Sequence, residues 1–239
     1  MNERKTKHHS VNKRNTVAVV AVLLVCILAI GGTIAYLTSH SSLENTFTVG
    51  QISPIIPEEG GPGGSQIPDE DKNNGRLSGN LYEPSWVKDS KLLPSATIKK
   101  DPYVGVGAGS EACEVYVYVT NTMTNNNHIY FTINDGWEAV PNYATPIGAT
   151  KNYTGGLFKY TAGLDALEIT GKNVWTDQPL FSNVEVSNDA VAGDFKVNGE
   201  DAVGSITVQS FLHQKNDADK RPIAEQTILD AVKKQFDLN

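Results

Sequence analysis

Apolar and polar residues alternate along several short stretches of the chain, a pattern typical of β-strands with one buried face. The clearest stretch covers 113–120 and has an apolar face formed by Cys113, Val115, Val117 and Val119. Its other face carries Tyr116 and Tyr118, which we expect to be exposed. Further strands are predicted at Tyr103–Val106, 129–133, 157–160, 168–170, 180–186, 195–197 and 205–213. Many short strands with Asn- and Gly-rich turns predict a mainly β fold, specifically a jelly-roll-like β-sandwich.

The carboxyl end has a helical pattern instead. Pro222 suits the first position of a helix, and an apolar stripe follows at Leu229, Val232 and Phe236. We therefore predict a C-terminal amphipathic helix over 222–236 that packs on the β-sandwich.

A separate strand is predicted before the main domain, over 43–52, where Phe47 and Val49 alternate with threonines. Residues 57–76 follow, rich in Gly, Pro and acidic side chains, and they have almost nothing to bury. We expect a flexible loop there. The first strand is then tethered to the domain rather than fixed in it.

The amino terminus predicts export. Five basic residues precede an uncharged run over 16–35, which is about 30 Å long as a helix and sufficient to span a bilayer. Two interpretations remain open: a signal peptide removed after export, or a retained membrane anchor. Thr33 and Ala35 fit the small-x-small rule of signal peptidases, with cleavage before Tyr36, so a cleaved signal is favoured.

Charge and cysteine content narrow the class of protein. The formal charge is −7, and loss of residues 1–35 removes five basic residues and one acidic residue, which lowers it to −11. An acidic chain lacks the basic face that nucleic-acid binding requires, so no nucleic-acid partner is expected. Of the two cysteines only Cys113 would remain after cleavage, and no intrachain disulfide could form.

Catalytic patterns are missing from the sequence. No His-Glu-x-x-His zinc motif and no Gly-x-Ser-x-Gly nucleophile elbow is present. A zinc site built from the distant His128 and His213 is the weaker alternative to two histidines at the surface or a sheet edge. Cys113 lies on an apolar strand face and is interpreted as an inert buried thiol. The sequence predicts no catalytic residue, no metal and no cofactor.

The acidic segment from Asp69 to Gly75 is partly similar to a calcium-binding loop. Its glycine comes one position late, and Asn80 stands where the bidentate glutamate belongs. We interpret the segment as a solvated acidic turn.

Two N-terminal segments carry a resemblance to a known family. Residues 31–38 (Gly-Gly-Thr-Ile-Ala-Tyr-Leu-Thr) and 45–50 (Asn-Thr-Phe-Thr-Val-Gly) resemble the SipW-type signal and first strand of the TasA/camelysin family. Similarity continues at 93–94, at 100–102, at 111–117 and from 206 to the terminal helix. The family consists of secreted proteins of Gram-positive bacteria that build biofilm-matrix fibres. The Gly/Pro-rich insertion after the first strand departs from the family pattern.

The resemblance implies a jelly-roll domain, export through a SipW-type signal peptidase with passage across the membrane, and fibres in which one subunit's first strand completes its neighbour's sheet. We divide the chain into a signal or anchor (1–35), a strand segment (36–56), the loop (57–76) and a β-domain with its helix (77–239).

The leading hypothesis is a non-enzymatic extracellular fibre subunit of the cell surface or biofilm matrix. Its partners are other copies or other matrix subunits, and the predicted exchange contacts are Phe47, Val49 and Ile52. The alternatives are a camelysin-like secreted metalloendopeptidase, by family analogy alone, and a membrane-tethered adhesin.

Overall fold

A computed structural model describes residues 43–46, 52–87, 90–123, 126–148, 150–164, 171–197 and 200–238. Several predictions fall outside these ranges: the signal region 1–35 with Thr33 and Ala35, the cleavage residue Tyr36, the exchange residues Phe47 and Val49, and the strand at 168–170.

The described chain is mainly β and ends in one α-helix, as predicted. The strands are β1 (Leu43–Thr46), β2 (Leu77–Ser78), β3 (Leu81–Tyr82), β4 (Thr97–Lys99), β5 (Tyr103–Val106), β6 (Cys113–Asn121), β7 (Ile129–Thr132), β8 (Trp137–Pro146), β9 (Asn152–Leu164), β10 (Val174–Trp175), β11 (Asn183–Val186), β12 (Lys196–Val197), β13 (Glu200–Val203) and β14 (Ile206–Gln214). The helix α1 covers Glu225–Gln235. Single 3₁₀ turns lie at Pro57–Glu59, Pro62–Gly64, Asp69–Lys72, Asn126–His128 and Ala192–Phe195. Within the described ranges, no helix has both the length and the apolar character needed to cross a membrane.

The largest sheet has eight strands in the order β1-β14-β6-β9-β7-β11-β4, with β8 paired to β9 outside this path. Its pairs are antiparallel except for β1 and β14, which run parallel. The long strand β9 joins two parts of this sheet, because it pairs with β6 and β8 through its centre and with β7 at its start. A second sheet has the order β10-β5-β3-β2, and β12 and β13 form a separate hairpin.

The main hydrophobic core combines side chains from both larger sheets. The predicted apolar face of β6 is confirmed, because its four side chains are buried in this core: Cys113, Val115, Val117 and Val119. Leu81 and Val104 of the second sheet belong to the same cluster. The aromatic centre is Phe131, which stacks on Phe181 at 4.3 Å between ring centroids and meets Phe158 edge-on at 5.6 Å.

Helix α1 covers the opposite face of β6 and β14. Its residues Ile228 and Val232 are buried in a second apolar cluster with Tyr116 and Phe211. The prediction that Tyr116 and Tyr118 face solvent is therefore wrong: Tyr116 is buried, and Tyr118 is half-buried against the ring of Phe236. Strand periodicity identifies two faces but does not show that a distant helix covers the second one.

The segment 57–76 has more fixed contacts than its composition led us to expect. Ile67 is buried in a small cluster with Ile55 and Tyr82, and the carboxylate of Asp71 is buried as well. The tract is predicted as a loop with almost nothing to bury, yet it packs against the second sheet.

Candidate functional site at the edge of β14

Strand β1 forms one end of the large sheet and is paired with β14 over four residues. The parallel register places Leu43 opposite Val208 and Thr46 opposite Phe211. In the described part of the chain, β1 has this single strand partner. It adds to an edge rather than inserting between two strands, and its backbone pairing is correspondingly limited.

Strand β14 is held in the sheet independently of β1. All nine of its residues, Ile206–Gln214, are in register with β6 on its other side. Val208 points into the main core, whereas Phe211 packs under α1. Departure of β1 would leave the outer edge of β14 with unpaired N–H and C=O groups on a strand that stays in place. Such an edge is able to accept a strand from another chain.

Ile52 lies close to β1 in sequence but belongs to the main core of its own domain. The next residues are fixed there by backbone hydrogen bonds: Gly107 N–H donates to Ser53 O at 3.0 Å, and Ile55 N–H donates to Gly79 O at 3.1 Å. The anchor of the leading segment therefore lies before the 57–76 loop, not within it. Any exchange that keeps this anchor moves only residues up to 51.

Cys113 is fully buried in the main core at the start of β6, and it is not disulfide-bonded. The predicted burial of this thiol on the apolar face of β6 is confirmed, and burial keeps it out of contact with solvent and substrates.

The two candidate histidines have different surroundings. His128 Nδ1 lies 3.2 Å from Asp189 Oδ1, and its Nε2 lies 3.9 Å from Asp194 Oδ2. His213 on β14 contacts the carbonyl oxygen of Gln214 at 2.8 Å and the ring of Phe211. Among the described residues, no group of three or more His, Cys, Asp or Glu side chains is arranged to hold a metal ion.

The acidic turn is fixed by protein contacts. Asp71 accepts hydrogen bonds from Tyr82 Oη at 2.8 Å and from the Arg76 guanidinium at 2.9 Å. Asn80 instead donates to Gly105 O at 2.7 Å, between β3 and β5. The prediction of a solvated turn does not apply to Asp71, which lies in the protein interior with a cationic partner.

Two features of this region were not predicted from the sequence. Strand β14 was predicted but its pairing with β1 was not, because a parallel pairing between distant segments leaves no local pattern. The close approach at Gly107, directly after β5, was not predicted either, although an isolated glycine beside a strand is a signal of close backbone approach.

Comparison with known proteins identifies no relative. The chain matches no protein-family model, no curated protein and no solved structure.

Proposed function

We propose that this protein is a secreted structural subunit of a cell-surface or biofilm-matrix fibre, and that copies join by exchange of the N-terminal strand. The observation that carries the proposal is the parallel, four-residue pairing of β1 at the edge of β14. The partner in this proposal is a second copy or a related matrix subunit.

The proposed architecture is a jelly-roll-like β-sandwich that follows a cleaved signal. Support for the sandwich comes from the shared core between the eight-stranded and four-stranded sheets. In this arrangement β1 is a small part of the sheet, whereas the β6–β14 pairing holds the domain together.

Exchange preserves the contacts of β1, because the same residues pair with the same register in either chain. The closed and exchanged arrangements differ in entropy. A strand in its own chain has an effective concentration in the millimolar range at its own β14 edge, and a neighbouring chain must compete with this. Exchange is therefore favoured where subunits are concentrated, as in a matrix, or where a fibre end offers a vacant β14 edge.

Chain length sets the geometry of the fibre. If Ile52 stays in its own core, six residue steps separate it from Thr46, which reach at most about 20 Å. The β14 edge of the neighbour must lie within that distance, so neighbouring subunits must be in direct contact.

Cysteine pairs in the observed register test the exchange. Glu44 is the register partner of Gln209. We would purify secreted protein carrying Glu44→Cys and, separately, protein carrying Gln209→Cys, mix them under mild oxidation, and follow disulfide-linked dimers by mass and filaments by electron microscopy. Exchange predicts mixed dimers that accumulate together with filaments. Protein carrying both substitutions is expected to close the disulfide within one chain and to stay monomeric.

A mismatched pair provides the control. Thr207 lies two positions from Gln209 on the same side of β14, so Glu44→Cys mixed with Thr207→Cys is expected to cross-link far less. Filaments that form without the matched cross-link, or that form from the internally linked double variant, would contradict strand exchange. N-terminal sequencing of the exported protein tests the other part of the proposal, since a start at Tyr36 is expected and a start at Met1 means a retained anchor.

A further inference from the structure

A buried pair of opposite charges lies away from the β1 edge, where the ends of β3 and β4 meet. Glu83 directly follows β3 and Lys100 directly follows β4. Lys100 Nζ lies 2.8 Å from Glu83 Oε1 and 2.9 Å from Oε2, and the two side chains are 4% and 0% exposed. The indole ring of Trp86 lies 5.8 Å from Nζ.

Burial makes the ionised form of Glu83 costly. Desolvation raises the pKa of Glu83, against the opposing effect of Lys100, and the nearby carboxylate of Asp101 raises it further. Burial also raises the pKa of Asp101, whose Oδ1 accepts the Ser85 N–H at 2.8 Å. Glu83 therefore lies in a closed site with a second carboxyl group nearby, an arrangement that is expensive in charged form.

The hydrogen bonding of the pair is also incomplete. A buried ion pair is stable only when its remaining lone pairs are satisfied. Glu83 Oε1 accepts no hydrogen bond from any described group, although Nζ is close to it. Amide formation between the two groups would begin with transfer of a proton from Lys100 to Glu83, which gives a neutral amine beside a neutral carboxylic acid.

We propose that Lys100 and Glu83 are joined by an isopeptide bond that the folded protein forms by itself. The amine lone pair of Nζ attacks Cδ of the protonated Glu83 carboxyl group. The new N–C bond replaces one C–O bond, and the hydroxyl group leaves with one amine proton as a molecule of water. The products are a neutral secondary amide and water, and no oxidant, reductant or cofactor takes part.

The separation of the two groups is suited to this reaction. An atom that is 2.8 and 2.9 Å from the two oxygens of one carboxylate lies ~3 Å from the carbon between them, which is the separation that nucleophilic attack requires. Burial under Trp86 keeps bulk water from the product amide and so protects it from hydrolysis. The bond links positions 17 residues apart and closes the β3–β4 connection.

A second Lys–Glu contact provides an internal comparison. Lys159 Nζ lies 2.6 Å from Glu225 Oε1, an even shorter contact, but the Glu225 side chain is 72% exposed. Water stabilises its ionised form there, so this pair is expected to remain a salt bridge. Distance alone does not produce the amide; distance combined with burial does.

Mass spectrometry of the purified chain tests the inference. After folding and then full denaturation with reduction, the intact protein is expected to weigh less than its sequence by one water molecule. Trypsin is expected to leave the Lys100 site uncut and to release a branched peptide that contains both Glu83 and Lys100. Lys100→Arg keeps the positive charge but lacks the amine nucleophile, so this variant is expected to have its full sequence mass. Lys159→Arg is the matched substitution in the exposed pair, and this variant is still expected to weigh one water molecule less than its sequence.

The wild-type measurement decides the question even if Lys100→Arg does not fold. A wild-type chain with its full sequence mass overturns the proposal. A lost water that maps to a peptide without both Glu83 and Lys100 overturns it equally. The outcome does not depend on fibre formation, since a monomer that never polymerises is still expected to contain the bond.

Discussion

Gly107 and Pro54 approach so closely that a Cβ atom on Gly107 would lie 2.3 Å from the carbonyl oxygen of Pro54. The same two segments are joined by the hydrogen bond from Gly107 N–H to Ser53 O. These two residues fix where the leading segment joins the domain. They place the limit of any strand exchange at Ile52 rather than in the Gly/Pro-rich loop.

Substitution of Gly107 by alanine tests this anchor. The new methyl group must displace the 53–54 backbone, and we expect a loss of about 1–3 kcal/mol in the free energy of unfolding. Faster amide hydrogen exchange at 52–56 is expected to accompany it. Gly193→Ala is the matched control, because a Cβ there meets nothing within 4 Å, and its expected change is under about 0.5 kcal/mol in urea unfolding. Equal stability of the two variants would show that the Pro54 contact is not a constraint.

The acidic turn is predicted to depend on Asp71. Asp71→Asn weakens its hydrogen bonds to Tyr82 and Arg76 inside the protein, so a loss of about 1–3 kcal/mol in urea unfolding is expected. Limited proteolysis within 57–76 is expected to become faster. Glu70→Gln, at an exposed neighbouring position, serves as the control and is expected to change neither measurement.

Tyr82 makes the same turn sensitive to alkaline pH. Burial, together with the hydrogen bond to Asp71, raises the pKa of the Tyr82 phenol above its usual value of 10. The corresponding stabilisation is present below pH 10 and is lost as the pH rises through the higher folded-state pKa. Tyr82→Phe removes the titrating group. Between about pH 9 and 11, the free energy of unfolding of this variant is therefore expected to fall less than that of the wild type. Parallel pH curves for the two proteins would contradict this assignment.

The sequence was informative where structure depends on neighbours along the chain. The apolar face of β6 follows from alternation alone, and the helix was expected because its stripe has helical spacing. Strand β8 was missed, because Pro141 and Pro146 interrupt its pattern. The register of β8 with β9 breaks between Ala139 and Ala144, and this irregular stretch accommodates Pro141.

Features that depend on contacts between residues far apart in sequence could not be predicted from local patterns. Asp71 looks solvated in a run of acidic residues, and only the fold brings Tyr82 and Arg76 to it. The same applies to the parallel pairing of β1 with β14 and to the meeting of Glu83 with Lys100. The sequence identified the segments at the candidate site but not which of them pair.

The aromatic centre of the core is expected to dominate stability. Phe131 is fully buried between Phe158 and Phe181, so Phe131→Ala removes both ring contacts and leaves a cavity. We expect a loss of about 3–5 kcal/mol in the free energy of unfolding. Phe131→Leu fills most of the space, and a smaller loss of about 1.5 kcal/mol is expected. Chemical denaturation measures both, and similar values for the two variants would show that the site collapses around the smaller side chain.

The attachment of α1 to the sheet is predicted to weaken in acid. Glu225 is the first residue of α1, and Lys159 of β9 holds its carboxylate. The hydrogen bond and positive charge of Lys159 hold the pKa of Glu225 below its usual 4.5. A lowered carboxyl pKa adds stability above about pH 4.5, which is lost as the pH falls through the folded-state value. Because Glu225 is largely exposed, this contribution is limited to about 0.2–1 kcal/mol.

Glu225→Gln keeps the shape of the side chain and removes its charge. The variant is expected to be slightly less stable than the wild type at pH 7 and equally stable near pH 3, with the difference seen in denaturant midpoints and in hydrogen exchange of α1. High salt is expected to reduce the difference at pH 7, since exposed ion pairs are screened. Lys159→Gln removes the partner and leaves the Glu225 charge in the first turn, so it distinguishes the ion pair from the interaction with the helix dipole. If Lys159→Gln is as stable as the wild type at pH 7, the helix dipole and not Lys159 holds α1 in place.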